Sequence, residues 1–264
     1  MFSVPWQSLD EKQKDKYHGF RIVARVLAQQ EQDVVELSLD SRLLRTGINC
    51  TILDDPCEEY DHLVTLLEKP GFRHLDLVFT LGGTWQSFPY SRLHQALSEA
   101  GDIEEISLAT TGIDASQGKD LQNTTPVPLR SILPIDKWPK LRHFELSRFM
   151  VSQSDVMSFL SELPGTLRSV NLSFLTFVDD GNCWHSFISE MLEQIRKKRL
   201  WPDRRRHVTI GCEQNISLPG RAKWLEREID DFLYENGENP FLNTTYNQAR
   251  TGFGTEKDAL VPNN

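Results

Sequence analysis

One short pattern recurs along this chain and limits what it can fold into. An apolar residue, two residues of any kind, a second apolar residue, one of any kind and a third apolar residue appear as Val34-Leu37-Leu39, Phe72-Leu75-Leu77, Ile103-Ile106-Leu108, Leu141-Phe144-Leu146 and Leu167-Val170-Leu172. A weaker copy is Arg205-Val208-Ile210. The last two positions are two apart, so they share one face of a short strand. Between them sit polar residues: Glu36 and Ser38, His74 and Asp76, His143 and Glu145, Ser169 and Asn171. One strand face is therefore dry and the other wet. Strands of a doubly wound parallel sheet are buried on both faces and read as continuous apolar runs, which these are not.

The segments between the strands carry helical spacing. Leu63, Leu66 and Leu67 form one stripe that closes near Pro70. Leu93, Ala96, Leu97 and Ala100 form another, ahead of Gly101 as a cap. A third runs from a Ser154-Asp155 cap through Val156, Phe159, Leu160 and Leu163. The longest holds Trp184, Phe187, Ile188, Met191, Leu192 and Ile195. The stretch around Pro126, Pro128, Ile132 and Leu133 is proline-broken and predicted to be irregular. An N-terminal helix follows a Ser8-to-Glu11 capping box, with Phe20, Val23, Ala24 and Leu27 on one face.

Successive motif starts are 38, 31, 38, 26 and 38 residues apart, and most exceed the ~20–29 residues of an ordinary leucine-rich repeat. Strand and helix alternating, each unit unable to bury its own apolar face, is the logic of a stacked array. The expected fold is α/β, a right-handed leucine-rich-repeat-like solenoid of about six irregular strand-helix repeats with helical caps. Residues 1–31 are expected as the N-terminal helical cap and 32–213 as the repeats. Ala222, Leu225, Ile229, Phe232 and Leu233 predict a capping helix within 214–237, and 238–264 reads as a loosely ordered tail.

The strands at 34–39, 141–146 and 167–172, with Leu218-Pro219-Gly220-Arg221, Trp224-Leu225 and Gly237-Glu238-Asn239-Pro240-Phe241, resemble the leucine-rich-repeat region of fungal F-box-type proteins over residues 17–241. The resemblance implies target recognition by the repeats and an indirect association with a ubiquitin ligase. The chain departs from that family in two ways. No F-box is visible, since the first 30 residues are too few and too polar for that helical module. The asparagine or cysteine of the ninth repeat position is replaced by Arg42, Thr80, Thr111, Phe149 and Leu175, whereas the apolar eleventh position survives as Leu44, Ile113, Val151 and Phe177.

Motifs that name a reaction are missing. The 112–120 segment, with Gly112, Gly118, Lys119 and Asp120, has the wrong glycine spacing for a phosphate loop and lacks its Ser/Thr. Cys183 and His185 are two apart at a helix start and do not face each other. The doublets Asp54-Asp55, Glu104-Glu105 and Asp179-Asp180 read as loop and helix-entry charges. Net charge is −9, so neither nucleic acid nor an anionic membrane is expected as a partner. A basic cluster, Arg196, Lys197, Lys198, Arg199, Arg204, Arg205 and Arg206, interrupts that balance. It can offset a helix dipole at its C-terminus or form a nuclear-import or anion-binding patch. No apolar run approaches the ~20 residues of a membrane span. The start Met1-Phe2-Ser3-Val4-Pro5-Trp6 has no signal-peptide pattern. Cys50, Cys57, Cys183 and Cys212 lack a paired spacing, which suits reduced thiols in the cytoplasm or nucleus.

Aligning the motifs exposes the candidate site. The wet positions before the second apolar residue read Glu36, His74, Glu105, His143, Ser169 and His207; those after it read Ser38, Asp76, Ser107, Glu145, Asn171 and Thr209. Neighbouring strands lie about 4.8 Å apart, so each series is expected to form a column on the concave face. The first column alternates acid and imidazole over its first four positions and holds three of the seven histidines. Opposite-leaning neighbours tolerate each other across strands, and solvated side chains on a rigid element suit recognition. The function expected is protein binding on this face, with no catalysis, no cofactor and no metal. The alternative is an enzyme of unrecognised type with a metal at His74, Glu105 and His143.

Overall fold

The computed structural model describes residues 18–30, 33–39, 48–53, 57–80, 90–110, 126, 128–177, 184–201, 206–213, 221–242, 250–253 and 256–257. The Ser8-to-Glu11 capping box, Arg42, Leu44, Asp54, Asp55, Thr111, Ile113, the 112–120 segment, Asp179, Asp180, Cys183, Arg204 and Arg205 lie outside them.

Short alternating segments become strands because two apolar side chains per strand can reach a common core. In chain order these are β1 (Glu36–Ser38), β2 (Ile48–Asn49), β3 (His74–Thr80), β4 (Glu105–Thr110), β5 (His143–Ser147), β6 (Met150–Val151), β7 (Ser169–Ser173), β8 (Thr176–Phe177), β9 (His207–Glu213), β10 (Arg221–Leu225), β11 (Arg250–Phe253) and β12 (Glu256–Lys257). One ten-stranded sheet runs β1-β3-β4-β5-β7-β9-β10-β11-β12, with β2 also on β3; β6 and β8 form a separate parallel pair. From β1 to β9 the main sheet is parallel, and β9 to β12 pair antiparallel.

Among the described residues there are six α-helices: α1 (His18–Gln29), α2 (Glu58–Leu67), α3 (Tyr90–Ser98), α4 (Gln153–Glu162), α5 (Trp184–Lys198) and α6 (Arg227–Tyr234). None is long and apolar enough to cross a membrane. The cap of α4 is Ser152, whose hydroxyl accepts from the Asp155 N–H at 3.2 Å, not the Ser154-Asp155 pair. On α1 the inward residue is Ala24, with Phe20 and Leu27 packed at the core edge. Val23 sits one residue round the helix from Ala24 and is 44% exposed, against expectation.

The expected solenoid is corrected by this topology. A right-handed array of about six like repeats with helical caps needs equivalent connections and one strand direction, and the described residues show neither. Between β4 and β5 they hold only two 3-10 turns, Leu129–Ser131 and Ile135–Lys137, with Trp138 fully buried and donating to the Leu97 carbonyl at 3.1 Å. After β9 the chain turns back on itself. The fold is α/β with one mixed, mostly parallel sheet. The end of the chain is corrected with it. Ala222 and Leu225 lie on β10 and only Arg227–Tyr234 is helical, because Ala222 and Trp224 alternate with Lys223 at strand spacing. The region expected as a loose tail adds β11 and β12 to the sheet edge.

The core is aligned in register. Leu37, Leu75, Ile106, Phe144, Val170 and Val208 face one another from strand to strand and are all buried. Leu77, Leu108, Leu146, Leu172 and Ile210 form the next buried row. Burial of each such side chain stabilises by about 1.5–3 kcal/mol. Leu39, at the sheet's edge with only β3 beside it, is half-buried. Phe149 and Leu175 are buried just past β5 and β7, and Val151 is buried on β6.

Candidate functional site

The wet face is built by the backbone register. Glu36 stands opposite His74, His74 opposite Glu105, Glu105 opposite His143, His143 opposite Ser169, and Ser169 opposite His207. In the second column Ser38, Asp76, Ser107, Glu145, Asn171 and Thr209 follow one another in the same way. Parallel pairing without a bulge keeps like positions level, so residues scattered over 170 positions of sequence become two straight rows.

Side-chain contacts tie the rows together. His74 Nδ1 lies 3.3 Å from Glu105 Oε2, and His143 Nε2 lies 4.0 Å from Glu105 Oε1, so one carboxylate sits between two imidazoles. All three side chains are about 40% exposed (40%, 44% and 44%), and such pairs are held in water and contribute little to stability. The other face of His143 meets Ser169, with Nδ1 2.6 Å from its hydroxyl. Ser38 donates to Asp76 Oδ2 at 3.1 Å, and Ser173 donates to Asn171 Oδ1. The middle of this face is a shallow depression of about 230 Å³, lined by His74, Asp76, Glu105, Ser107, His143, Glu145, Ser169 and Asn171, with Ile106 and Phe144.

The register thus places all eleven expected site residues along one stretch of surface. His207 differs: its Nδ1 is 2.7 Å from Asp230 Oδ2 on α6, and Thr209 beside it donates to Glu226 Oε1 at 3.4 Å. The face therefore ends at the start of α6, where sequence reasoning missed Asp230 and the preceding cap residue Glu226. Nothing local marks them, since they meet the ladder only because α6 packs against β9. Among the described residues no group of three or more His, Cys, Asp or Glu side chains is arranged to hold a metal. His74, Glu105 and His143 are linked in a row, whereas a metal draws its ligands around one point.

The thiols of Cys57 and Cys212 lie away from this face. Cys57 donates to the Ile52 carbonyl at 3.3 Å, and burial pushes its pKa up. Burial pushes Cys212 further, to about 11. A thiol held protonated in this way is a poor nucleophile. The basic cluster divides. Arg196, Lys197 and Lys198 close α5, where they oppose its dipole, while Arg206 is buried. No protein-family model matches the chain, and no curated protein matches it.

Proposed function

We propose that the chain binds another protein on the polar face of its parallel strands and carries out no reaction itself. The observation that carries this reading is the pair of in-register polar columns around the depression between β3 and β7. They present a chemically varied surface on the most regular element of the fold, where side chains are held without strain. Glu36, Asp76, Glu105 and Glu145 contribute four carboxylates and no lysine or arginine stands among them. A partner offering basic groups and hydrogen-bond donors complements that surface. The proposed location is the cytoplasm or nucleus, supported by Cys57 and Cys212, which are reduced thiols.

The test is affinity capture with three forms of the protein. Asp76→Arg with Glu145→Arg reverses charge inside the depression, and Glu162→Arg does so on α4, away from it. The expected result is a partner retained by wild type and by Glu162→Arg and lost by the double variant. Equal capture by all three, or stoichiometric metal that survives dialysis and disappears in His74→Gln/His143→Gln, overturns the reading.

A further inference from the structure

We propose that the cavity between the C-terminal ends of α5 and α6 binds a small organic anion, a phosphate or carboxylate carried on an apolar group. Its volume is about 470 Å³, within the range of small-molecule sites. Ile195, Leu200, Leu233 and Trp201 supply apolar wall, and Arg196 and Arg199 supply charge. Glu235 also lines it, so the side chains at its surface sum to one positive charge.

Two features separate this place from an ordinary basic surface. The first is how the basic run is shared out. Lys197 pairs with Glu193 at 3.3 Å and Lys198 donates to Gln194 at 3.3 Å, both along the helix. Arg196 instead lies over the Phe232 ring, 4.8 Å from its centre. Arg199 takes a left-handed backbone, φ 44°, and that turn ends the helix so that Arg199, Leu200 and Trp201 all reach the cavity.

The second feature is a set of buried donors with nothing to bind. Arg206 is 7% exposed, and its guanidinium sits 5.0 Å from the centre of the Trp201 ring that lines the cavity. Its Nη2 donates to the Pro164 carbonyl at 3.2 Å, while Nε and Nη1 have no partner. Trp201 Nε1 is likewise buried without an acceptor. A buried cation lacking a counter-anion, next to a buried N–H lacking an acceptor, is an expensive arrangement. Arg206 does not itself line the cavity, so an anion there offsets its charge at a distance, beside the Trp201 ring, rather than by contact. The helix ends do not help, because C-terminal carbonyls repel negative charge. Recognition therefore falls to the arginines, whose planar forks suit phosphate and carboxylate alike.

The experiment is a calorimetric titration of the full chain with phenyl phosphate, benzoate, inorganic phosphate and benzyl alcohol. Saturable binding of phenyl phosphate or benzoate is expected, and whichever is tighter assigns the head group. Benzyl alcohol, which has the ring without the charge, should not bind, and inorganic phosphate should bind more weakly than phenyl phosphate. Arg199→Gln should weaken binding about tenfold, as loss of one charge-assisted contact does. Lys197→Gln removes the same charge from the same run and should leave affinity within about twofold. The proposal is overturned if neither organic anion binds at millimolar concentration, if benzyl alcohol or inorganic phosphate binds as well as they do, or if Lys197→Gln weakens binding as much as Arg199→Gln.

Discussion

In the stretch from β3 to β7, the polar side chains of the two columns stay in water and meet each other across neighbouring strands, as His74 does with Glu105 and His143 with Ser169. Thr110, Ser147 and Ser173 at the strand ends are buried. From β9 onward the sheet turns antiparallel and α6 packs against β9, and just ahead of that strand the large polar side chains Arg206 and Trp201 are buried with donors unmet. The strand chemistry is alike in both regions, since Val208 and Ile210 continue the two buried rows of Val170 and Leu172. What differs is the means of closure. Parallel strands joined through long connections repeat one environment, so the polar residues of the two columns share one exposed face. A hairpin and a short helix close the sheet at its end, and there each polar group has its own surroundings. Regularity suits a surface for a large partner, and the irregular end makes a half-open cavity.

The largest expected effect tests whether the parallel region is as sharply two-sided as this contrast requires. Leu146 is fully buried between Leu108 and Leu172, so Leu146→Ala should cost about 2–5 kcal/mol through lost transfer energy and a cavity. Glu145→Ala, one residue along on the polar face, should cost under about 1 kcal/mol. Denaturant melts of the two variants read this directly, and similar losses would break the comparison.

A smaller effect probes the junction where parallel pairing gives way to antiparallel. A Cβ on Gly211 would lie 2.8 Å from both Ser173 Oγ and Trp224 Cζ3. Gly211→Ala should therefore destabilise by about 1–3 kcal/mol, the usual result of overpacking. At Gly101, after α3, a Cβ meets nothing within 4 Å, and Gly101→Ala should be neutral or stabilising by up to about 1 kcal/mol through the unfolded chain. Thermal melts that rank the two the other way would show that the junction is loosely packed.

The smallest effect contrasts a half-buried charge that has a partner with the buried one that lacks it. Asp155 on α4 accepts from the Leu129 N–H at 2.7 Å, and desolvation pushes its pKa above the ordinary carboxylate value. A raised folded-state pKa means the folded protein holds the proton more tightly. The stabilisation is complete below the unfolded value and is lost as pH rises through the folded one. Asp155→Asn keeps an acceptor for Leu129 and removes the charge. Its stability relative to wild type should improve by under about 1 kcal/mol on going from pH 4 to pH 7. A relative loss over that interval, measured by urea melts, would mean that the ionised carboxylate is the favoured form at the start of the helix.

The sequence by itself determined the strands of the parallel region, their buried and exposed faces, and which polar residues would stand level with one another. Spacings of two and three residues are local, and a period-two pattern can put Leu75 and Leu77 inside only by leaving His74 and Asp76 outside. The helices α2, α3 and α5 were legible for the same reason, each from a stripe at helical spacing. Only the tertiary structure decided how the array ends. Ala222, Leu225 and Ile229 fit a helical stripe as written, and pairing with β9 made the first two a strand, because main-chain hydrogen bonds to a neighbour outweigh a weak local preference. The solenoid expected from the recurring motif fails on the same ground, since β9 to β12 pair antiparallel and make one mixed sheet. The irregular link between β4 and β5 was legible, because Pro126 and Pro128 mark the stretch in which the 3-10 turns lie. The cavity was beyond sequence altogether. Arg196, Arg199 and Arg206 are close in the chain, yet their association with Leu233 and Tyr234 depends on α6 docking against α5, a contact between surfaces that no local period records.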